Sequence, residues 1–139
     1  MGVHQHTFRV STKGHCDVID ITRQVAAVVS ASEIRTGIVN VAGKGSTLAV
    51  TTIEYEPGTV SDLRRALEEI APENDDYAHN AHWGDHNGFA HLRSALLGTS
   101  ASFPVRDGAL ELGTWQQIVL GDFDDRPRER HMTVTVVGE

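Results

Sequence analysis

The sequence has few of the features of a secreted or membrane-spanning protein. Cys16 is the only cysteine among 139 residues, so neither an internal disulfide nor a site built from several thiolates can form. The longest apolar stretches, such as residues 25–29, fall far short of the roughly 20 residues that cross a bilayer. We therefore expect no membrane partner, and any metal ligands should be histidines and carboxylates.

Positive charge is also scarce. Twelve lysines and arginines stand against nineteen aspartates and glutamates, which gives a formal net charge of −7. Such a field repels nucleic acid and anionic membranes, so an anionic substrate would need a local cationic patch or a bound metal. The first residues also lack the basic region and apolar core of a signal peptide, and we expect a cytoplasmic location.

The apolar pattern predicts an α+β fold in one compact domain, residues 1–139, with mixed or antiparallel sheets and about three helices. Hydrophobic residues make up 40% of the chain, an ordinary globular proportion. Helices are predicted for residues 20–30, for residues 59–71 behind a Thr59 or Ser61 cap, and for residues 89–98. Strands are predicted near residues 4–10, 36–42, 47–56, 115–120 and 132–137, with a hairpin at Asp107 and Gly108.

Residues 77–91 hold four of the eight histidines, together with Asp85 and Asn87. Imidazole and carboxylate groups coordinate divalent ions, and neutral histidine is a common ligand near neutral pH. Asn87 and His91 lie four residues apart at the start of a predicted helix, so their side chains can face the same way. The alternative is a set of surface histidines with Asp85 or Asn87 as a helix cap, and spacing alone leaves both interpretations open.

Three arginines alternate before the last predicted strand, at Arg126, Arg128 and Arg130. Alternate residues share one face of an extended chain, so their guanidinium groups could bind a phosphate. The simpler alternative is a solvated edge strand whose arginines are neutralised by neighbouring aspartates. The residues alone favour this second interpretation.

Several stretches carry motifs in a distinctive order. They are Tyr-Ala-His-Asn at residues 77–80, Asp-His-Asn-Gly-Phe-Ala-His-Leu at 85–92, Leu-Gly at 97–98 and Leu-Gly-Thr-Trp-Gln-Gln-Ile at 112–118, followed by the three arginines. In this order they resemble the YjbQ-like family, also described as secondary thiamine-phosphate synthases, over nearly the full length of the chain. The resemblance implies a compact protein that assembles as a homotrimer, with a site near the subunit boundaries.

The resemblance also implies an activity. Secondary thiamine-phosphate synthesis joins hydroxymethylpyrimidine diphosphate to a thiazole phosphate and releases pyrophosphate. His79, Asp85, Asn87 and His91 match polar positions of the family pattern, and Glu54 matches the acidic residue that closes its Thr-rich strand. On this hypothesis His79, Asp85 and His91 hold a divalent metal ion, zinc or magnesium, which stabilises the anionic leaving group.

The other candidate residues then surround a small phosphorylated molecule. Arg126, Arg128 or Arg130 holds a phosphate. Glu54 and Asn87 orient the substrate, and His91 is a general acid or base if no metal binds. The alternative is a metal-binding homotrimer with another function or none, in which the synthase activity is only a side reaction.

One departure from the family pattern lies near residue 45. Many relatives carry His-Thr-Thr-Ala at this place, whereas residues 45–48 here are Gly-Ser-Thr-Leu. If that histidine takes part in catalysis or metal binding elsewhere, its role is missing here or is supplied by another residue.

Overall fold

The strands form two antiparallel sheets in a computed structural model that describes all 139 residues. The five-stranded sheet has the spatial order β1 (Gly2–Thr12), β8 (Arg128–Gly138), β3 (Thr36–Gly43), β5 (Ser100–Arg106) and β6 (Ala109–Leu110). The three-stranded sheet has the order β2 (Asp17–Asp20), β7 (Gln117–Asp122) and β4 (Leu48–Ile53). Strands are numbered here in chain order.

Four helices complete the fold: α1 (Thr22–Ser32), α2 (Pro57–Ile70), α3 (Ala78–Trp83) and α4 (Gly88–Leu97). The predicted α+β class is therefore confirmed, and α1, α2 and α4 correspond to the three predicted helices. Helix α3 was not predicted because its six residues, none of them buried, show no helical stripe of apolar side chains. None of the four combines the length and apolar character needed to span a bilayer.

The start of α2 differs from the prediction. Neither Thr59 nor Ser61 caps this helix; the carboxylate of Glu56 accepts hydrogen bonds from the backbone N–H groups of Gly58 and Thr59. Pro57 takes the first helical position, where its missing N–H costs nothing and its fixed φ suits a helix. The proline therefore begins the helix earlier than the serine and threonine suggested.

The three-stranded sheet is the middle layer of the molecule. Leu48 and Val50 of β4 belong to a core of 16 buried residues shared with the five-stranded sheet and α1. Ala49 lies between them and belongs to a second core of nine buried residues, shared with α2 and α4. Successive residues of a strand face opposite sides, so this sheet is buried on both faces. Helix α4 packs against β4 and brings residues 88–97 next to the end of β7.

Candidate functional site

Asn87 connects the histidine-rich segment to a buried group of charged residues. It is the N-cap residue of α4, but its side chain makes no capping hydrogen bond. Instead its Nδ2 donates to Asp124 Oδ1 at 3.3 Å, and its Oδ1 lies 3.0 Å from His79 Nε2. Helix capping therefore does not account for the Asn87 side chain.

Asp124 determines which way the Asn87 amide points. Burial acts to raise the pKa of Asp124, but hydrogen bonds from the Asp125 N–H, the Asn87 amide and the Thr47 hydroxyl outweigh burial and lower this pKa. An ionised carboxylate only accepts hydrogen bonds, so Asn87 turns its NH2 group towards Asp124 and its oxygen towards His79. In this arrangement Nε2 of His79 carries a hydrogen.

His79 also contacts Asp85 and His91. Its Nε2 lies 3.1 Å from Asp85 Oδ1, and its ring centroid lies 4.4 Å from that of His91 with the planes 47° apart. Although Nε2 is this close, Asp85 Oδ1 is enclosed and accepts no hydrogen bond. The structure therefore brings these three side chains into contact, but no group of three or more histidine, cysteine, aspartate or glutamate side chains is arranged to hold a metal ion.

Close contact between α3 and the start of α4 sets this geometry. Gly84 ends α3 with a φ of 69°, a conformation that favours glycine. The Gly88 N–H donates to Asn80 Oδ1 at 2.9 Å, and a Cβ on Gly88 would lie only 2.6 Å from Tyr77 Cβ. Glycine at position 88 is thus required for the two helices to approach, which places His79 beside His91.

Glu54 is not part of this cluster within one chain. It is exposed and follows the end of β4, whose opposite end begins next to Thr47, a hydrogen-bond partner of Asp124. At about 3.3 Å per residue, β4 separates Glu54 from Thr47 by roughly 20 Å. The proposed role of Glu54 in orienting a substrate therefore has no support from a single chain.

The three candidate arginines lie in three different environments. Arg130 is 4% exposed, and its Nε lies 2.6 Å from Asp122 Oδ2. Arg128 Nη1 lies 2.8 Å from Asp124 Oδ2, whereas Arg126 is exposed and forms no ion pair. Aspartates do neutralise two arginines, but β8 is an interior strand and not an edge, so the predicted solvated edge strand is wrong.

Two cavities adjoin the histidine cluster. One has a volume of about 530 Å³ and is acidic; its lining includes Glu73, Asp75, Asp76, Asp125 and His86. The other has a volume of about 370 Å³ and lies between α4 and the loop at residues 44–47; His91 lines it and no carboxylate does. The cluster thus offers an acidic surface and a neutral, hydroxyl-rich surface to ligands.

The model of the "UPF0047 protein YjbQ-like" family matches residues 6–139. The chain belongs to this YjbQ-like family. A UPF0047 protein of Methanothermobacter thermautotrophicus is 40% identical over 139 residues, which cover 100% of this chain and 95% of the relative. The YugU protein of Bacillus subtilis, also a UPF0047 protein, is 30% identical over 133 residues, 95% of this chain and 98% of the relative. The family resemblance inferred from the motifs is therefore confirmed.

Solved structures support the same YjbQ-like fold. A crystal structure from Sulfolobus solfataricus, of a "YbjQ-like protein of unknown function", matches with a TM-score of 0.94 and 37% identity over 99% of both chains. A hypothetical protein from Aeropyrum pernix matches with a TM-score of 0.90 and 32% identity over 97% of this chain and 98% of that one. These names give no activity, so function has to be argued from the site.

Sequence reasoning missed a buried group of charged residues beside this YjbQ-like site, here called the frame. It consists of Asp122, Asp124, Arg128 and Arg130. Thr12 Oγ1 donates to Asp122 Oδ2 at 2.6 Å, and Thr47 Oγ1 donates to Asp124 Oδ2 at 3.1 Å. A signal was present, because two alternating aspartates precede two alternating arginines across a short turn. That symmetry predicts ion pairs between Asp122 or Asp124 and two of the arginines, which leaves Arg126 as the arginine without an ion pair.

Proposed function

We propose that this protein is a transferase of the secondary thiamine-phosphate synthase type, which joins hydroxymethylpyrimidine diphosphate to a thiazole phosphate and releases pyrophosphate. The observation that carries the proposal is the convergence of His79, Asp85, Asn87 and His91 beside two ligand-sized cavities. Membership of the YjbQ-like family supports it, because these four residues lie in the motifs that carry the resemblance.

The donor types at the centre, imidazole, carboxylate and amide oxygen, support the proposed divalent cation, zinc or magnesium. Asp85 Oδ1 is enclosed without a hydrogen bond, and buried polar atoms normally have a partner. This oxygen and Asn87 Oδ1 lie 3.1 Å and 3.0 Å from His79 Nε2, and neighbouring ligands of one octahedral magnesium ion are about 3 Å apart. His79, Asp85 and the Asn87 oxygen would hold the ion once Nε2 of His79 releases its hydrogen, and His91 remains a candidate ligand through its contact with His79.

The reaction needs positioning and charge neutralisation more than covalent chemistry. When bound, a divalent ion supplies positive charge that stabilises the departing pyrophosphate. Asn87, held by Asp124, keeps its oxygen towards His79. His91 reaches the hydroxyl-rich cavity, where its imidazole can hold or accept a proton. Arg126 is exposed and unpaired, so its guanidinium is available to a phosphate.

The proposal includes a homotrimer that works in the cytoplasm. Trp115, Trp83 and Leu96 are 73%, 68% and 60% exposed, and large apolar side chains of this kind are typical of subunit interfaces. A neighbouring subunit is also the source from which a Glu54 side chain would reach a site at a subunit boundary. A solution mass equal to that of one chain would contradict this part of the proposal.

The direct test is steady-state conversion of the two substrates, with and without a chelator. We expect His91→Ala to lower turnover by about 10²- to 10⁴-fold, the usual contribution of a general acid or base. His82→Ala is the matched control, because His82 is exposed and packs edge-on against Trp83 with ring centroids 4.8 Å apart. Equal turnover by the wild type and His91→Ala would refute the assignment.

A second candidate function is a metal-binding homotrimer with another activity or none. Asp85 Oδ1, which has no hydrogen-bond partner, supports this second function equally, because a carboxylate oxygen attracts a cation and repels a phosphorylated substrate. Elemental analysis of the purified protein, combined with thermal unfolding in added pyrophosphate, separates the two candidates. Bound metal without any stabilisation by pyrophosphate would favour the second.

A further inference from the structure

The cavity between α4 and the loop at residues 44–47 has an unusual lining for so acidic a chain. Hydroxyl groups, glycines and one histidine surround it, and none of the nineteen acidic residues lines it. Its seven lining residues are Gly45, Ser46, His91, Ser94, Ala95, Gly98 and Thr99. The acidic cavity by contrast includes four carboxylates. An anion binds best to hydrogen-bond donors that have no negative charge nearby, and this cavity meets that condition.

Ser94 supplies the first independent sign of a ligand. It is 2% exposed, yet its hydroxyl makes no hydrogen bond within the chain. The hydroxyl is not enclosed, since Asp85 Oδ1 is the enclosed side-chain atom without a partner, so Ser94 Oγ is open to the cavity. Because Ser94 lines the cavity, a group bound there is the natural partner for this hydroxyl.

Arg130 supplies the second sign. Its Nε and Nη2 bond Asp122 and Thr47, but Nη1 donates to no acceptor within the chain. A Cβ on Gly45 would lie 2.9 Å from this nitrogen. Glycine at position 45 therefore leaves the guanidinium edge without side-chain cover on the loop side. A planar guanidinium with a free edge is a strong donor to phosphate oxygens.

The loop backbone adds two more donors. The N–H groups of Gly45 and Ser46 bond no backbone carbonyl, and no side chain accepts from them either. Lys44 just before them donates its own N–H to His131 O at 3.1 Å, which anchors the loop to β8. Both residues are exposed and line the cavity, so these N–H groups can donate to an anion bound there.

We infer that this cavity binds a phosphate or diphosphate group, held by the Ser46 and Ser94 hydroxyls, the Gly45 and Ser46 N–H groups and His91, with Arg130 Nη1 next to Gly45 as the nearby positive charge. Its identification as the place of a substrate phosphate rests on the proposed function, because His91 belongs to both sites. Its capacity to bind a phosphoanion does not rest on that function.

Titration of the ¹⁵N-labelled full chain with inorganic pyrophosphate and with inorganic phosphate, at constant ionic strength, tests the inference. We expect the amide resonances of Gly45 and Ser46 to shift. Ser94→Ala should weaken binding about tenfold, equivalent to about 1.4 kcal/mol. Ser61→Ala is the matched control, since Ser61 is also helical but exposed and remote from the cavity lining. Both variants should fold, because neither hydroxyl has a hydrogen-bond partner in the chain.

The outcomes separate this inference from the proposed function. Absence of shifts at Gly45 and Ser46, or equal affinities of Ser94→Ala and Ser61→Ala, would overturn the phosphoanion site whatever the turnover. Binding that is weakened only by Ser94→Ala would support it, even if no thiamine phosphate is formed, and only the proposed function would then fail. A preference for pyrophosphate over phosphate would identify the diphosphate substrate or product as the ligand, and the reverse preference would identify a monophosphate ester.

Discussion

Residues 77–91 and residues 122–130 are both rich in polar and charged side chains, but the fold treats them in opposite ways. Asp122, Asp124 and Arg130 are 0%, 1% and 4% exposed, and each has an ion-pair partner. In the histidine-rich segment α3 has no buried residue, and Asp85 Oδ1 has no hydrogen-bond partner. Burial of a charge is costly unless it is paired, so residues 122–130 form a buried frame and residues 77–91 are left free for a ligand.

Asn87 joins the two segments. Its amide donates to Asp124 in the frame and faces His79 in the open cluster. The frame therefore sets the orientation of Asn87 in the site through Asp124. If this comparison is right, changes in the frame should reduce stability, and changes in the open cluster should reduce only binding or activity.

The largest effect is expected from Asp122→Ala. This change leaves Arg130 buried without its partner and should lower the free energy of unfolding by about 3–5 kcal/mol. Urea-induced unfolding followed by circular dichroism measures it. The matched control is Glu111→Ala, which removes the exposed partner of Arg106 and should cost far less, because exposed ion pairs add little to stability. Equal costs for the two variants would show that the buried pair is no more important than a surface pair.

A smaller, pH-dependent effect is expected from Asp124→Asn. Hydrogen bonds lower the pKa of Asp124, so its stabilising contribution is present above the ordinary value of 3.8 and is lost as the pH falls through the lowered value. At neutral pH the variant should lose about 1.5–3 kcal/mol, the usual worth of hydrogen bonds to a charged group. Thermal unfolding from pH 7 downwards should show the difference between wild type and variant shrinking below that ordinary pKa. A constant difference would mean that the charge of Asp124 does not matter.

The smallest effect on stability is expected from His79→Ala. Helix α3 buries no residue, so the free energy of unfolding should change by no more than about 0.5 kcal/mol. The same variant should lose divalent-metal binding in a calorimetric titration, whereas His82→Ala should keep it. A destabilisation as large as that of Asp124→Asn would show that the histidine cluster is part of the frame, and the comparison would fail.

Sequence patterns predicted the elements that have a strong apolar period. Helices α1, α2 and α4, the longer strands and the hairpin at Asp107 and Gly108 all appear in the structure. The short elements α3 and β2 were not predicted from the sequence, because six and four residues are too few to show an apolar period. Strand order was also beyond local patterns, since it depends on pairing between distant segments.

The candidate site was predicted in its residue types but not in its arrangement. Clustering along the chain indicated the segment, the family resemblance singled out His79, Asp85, Asn87 and His91, and these four do lie together. The pairing of Asn87 with Asp124 could not be foreseen, because it depends on α4 packing beside the end of β7. The enclosure of Arg130 depends on contacts with distant segments, such as its bond to Thr47. From the sequence, Gly45 was only a position where many relatives have histidine. The structure shows that it lies next to the Arg130 guanidinium.

The pairing of β1 with β8 joins the two extremes of this chain, from Gly2 opposite Gly138 to Thr12 opposite Arg128. During synthesis on the ribosome, β1 emerges before β8 and has no hydrogen-bonding partner until β8 has been made. The large loop that must close makes this pairing a slow, late event in folding. Until then an eleven-residue strand stays open to association with other chains, so nascent copies crowded on one messenger are most exposed to misassembly at this strand.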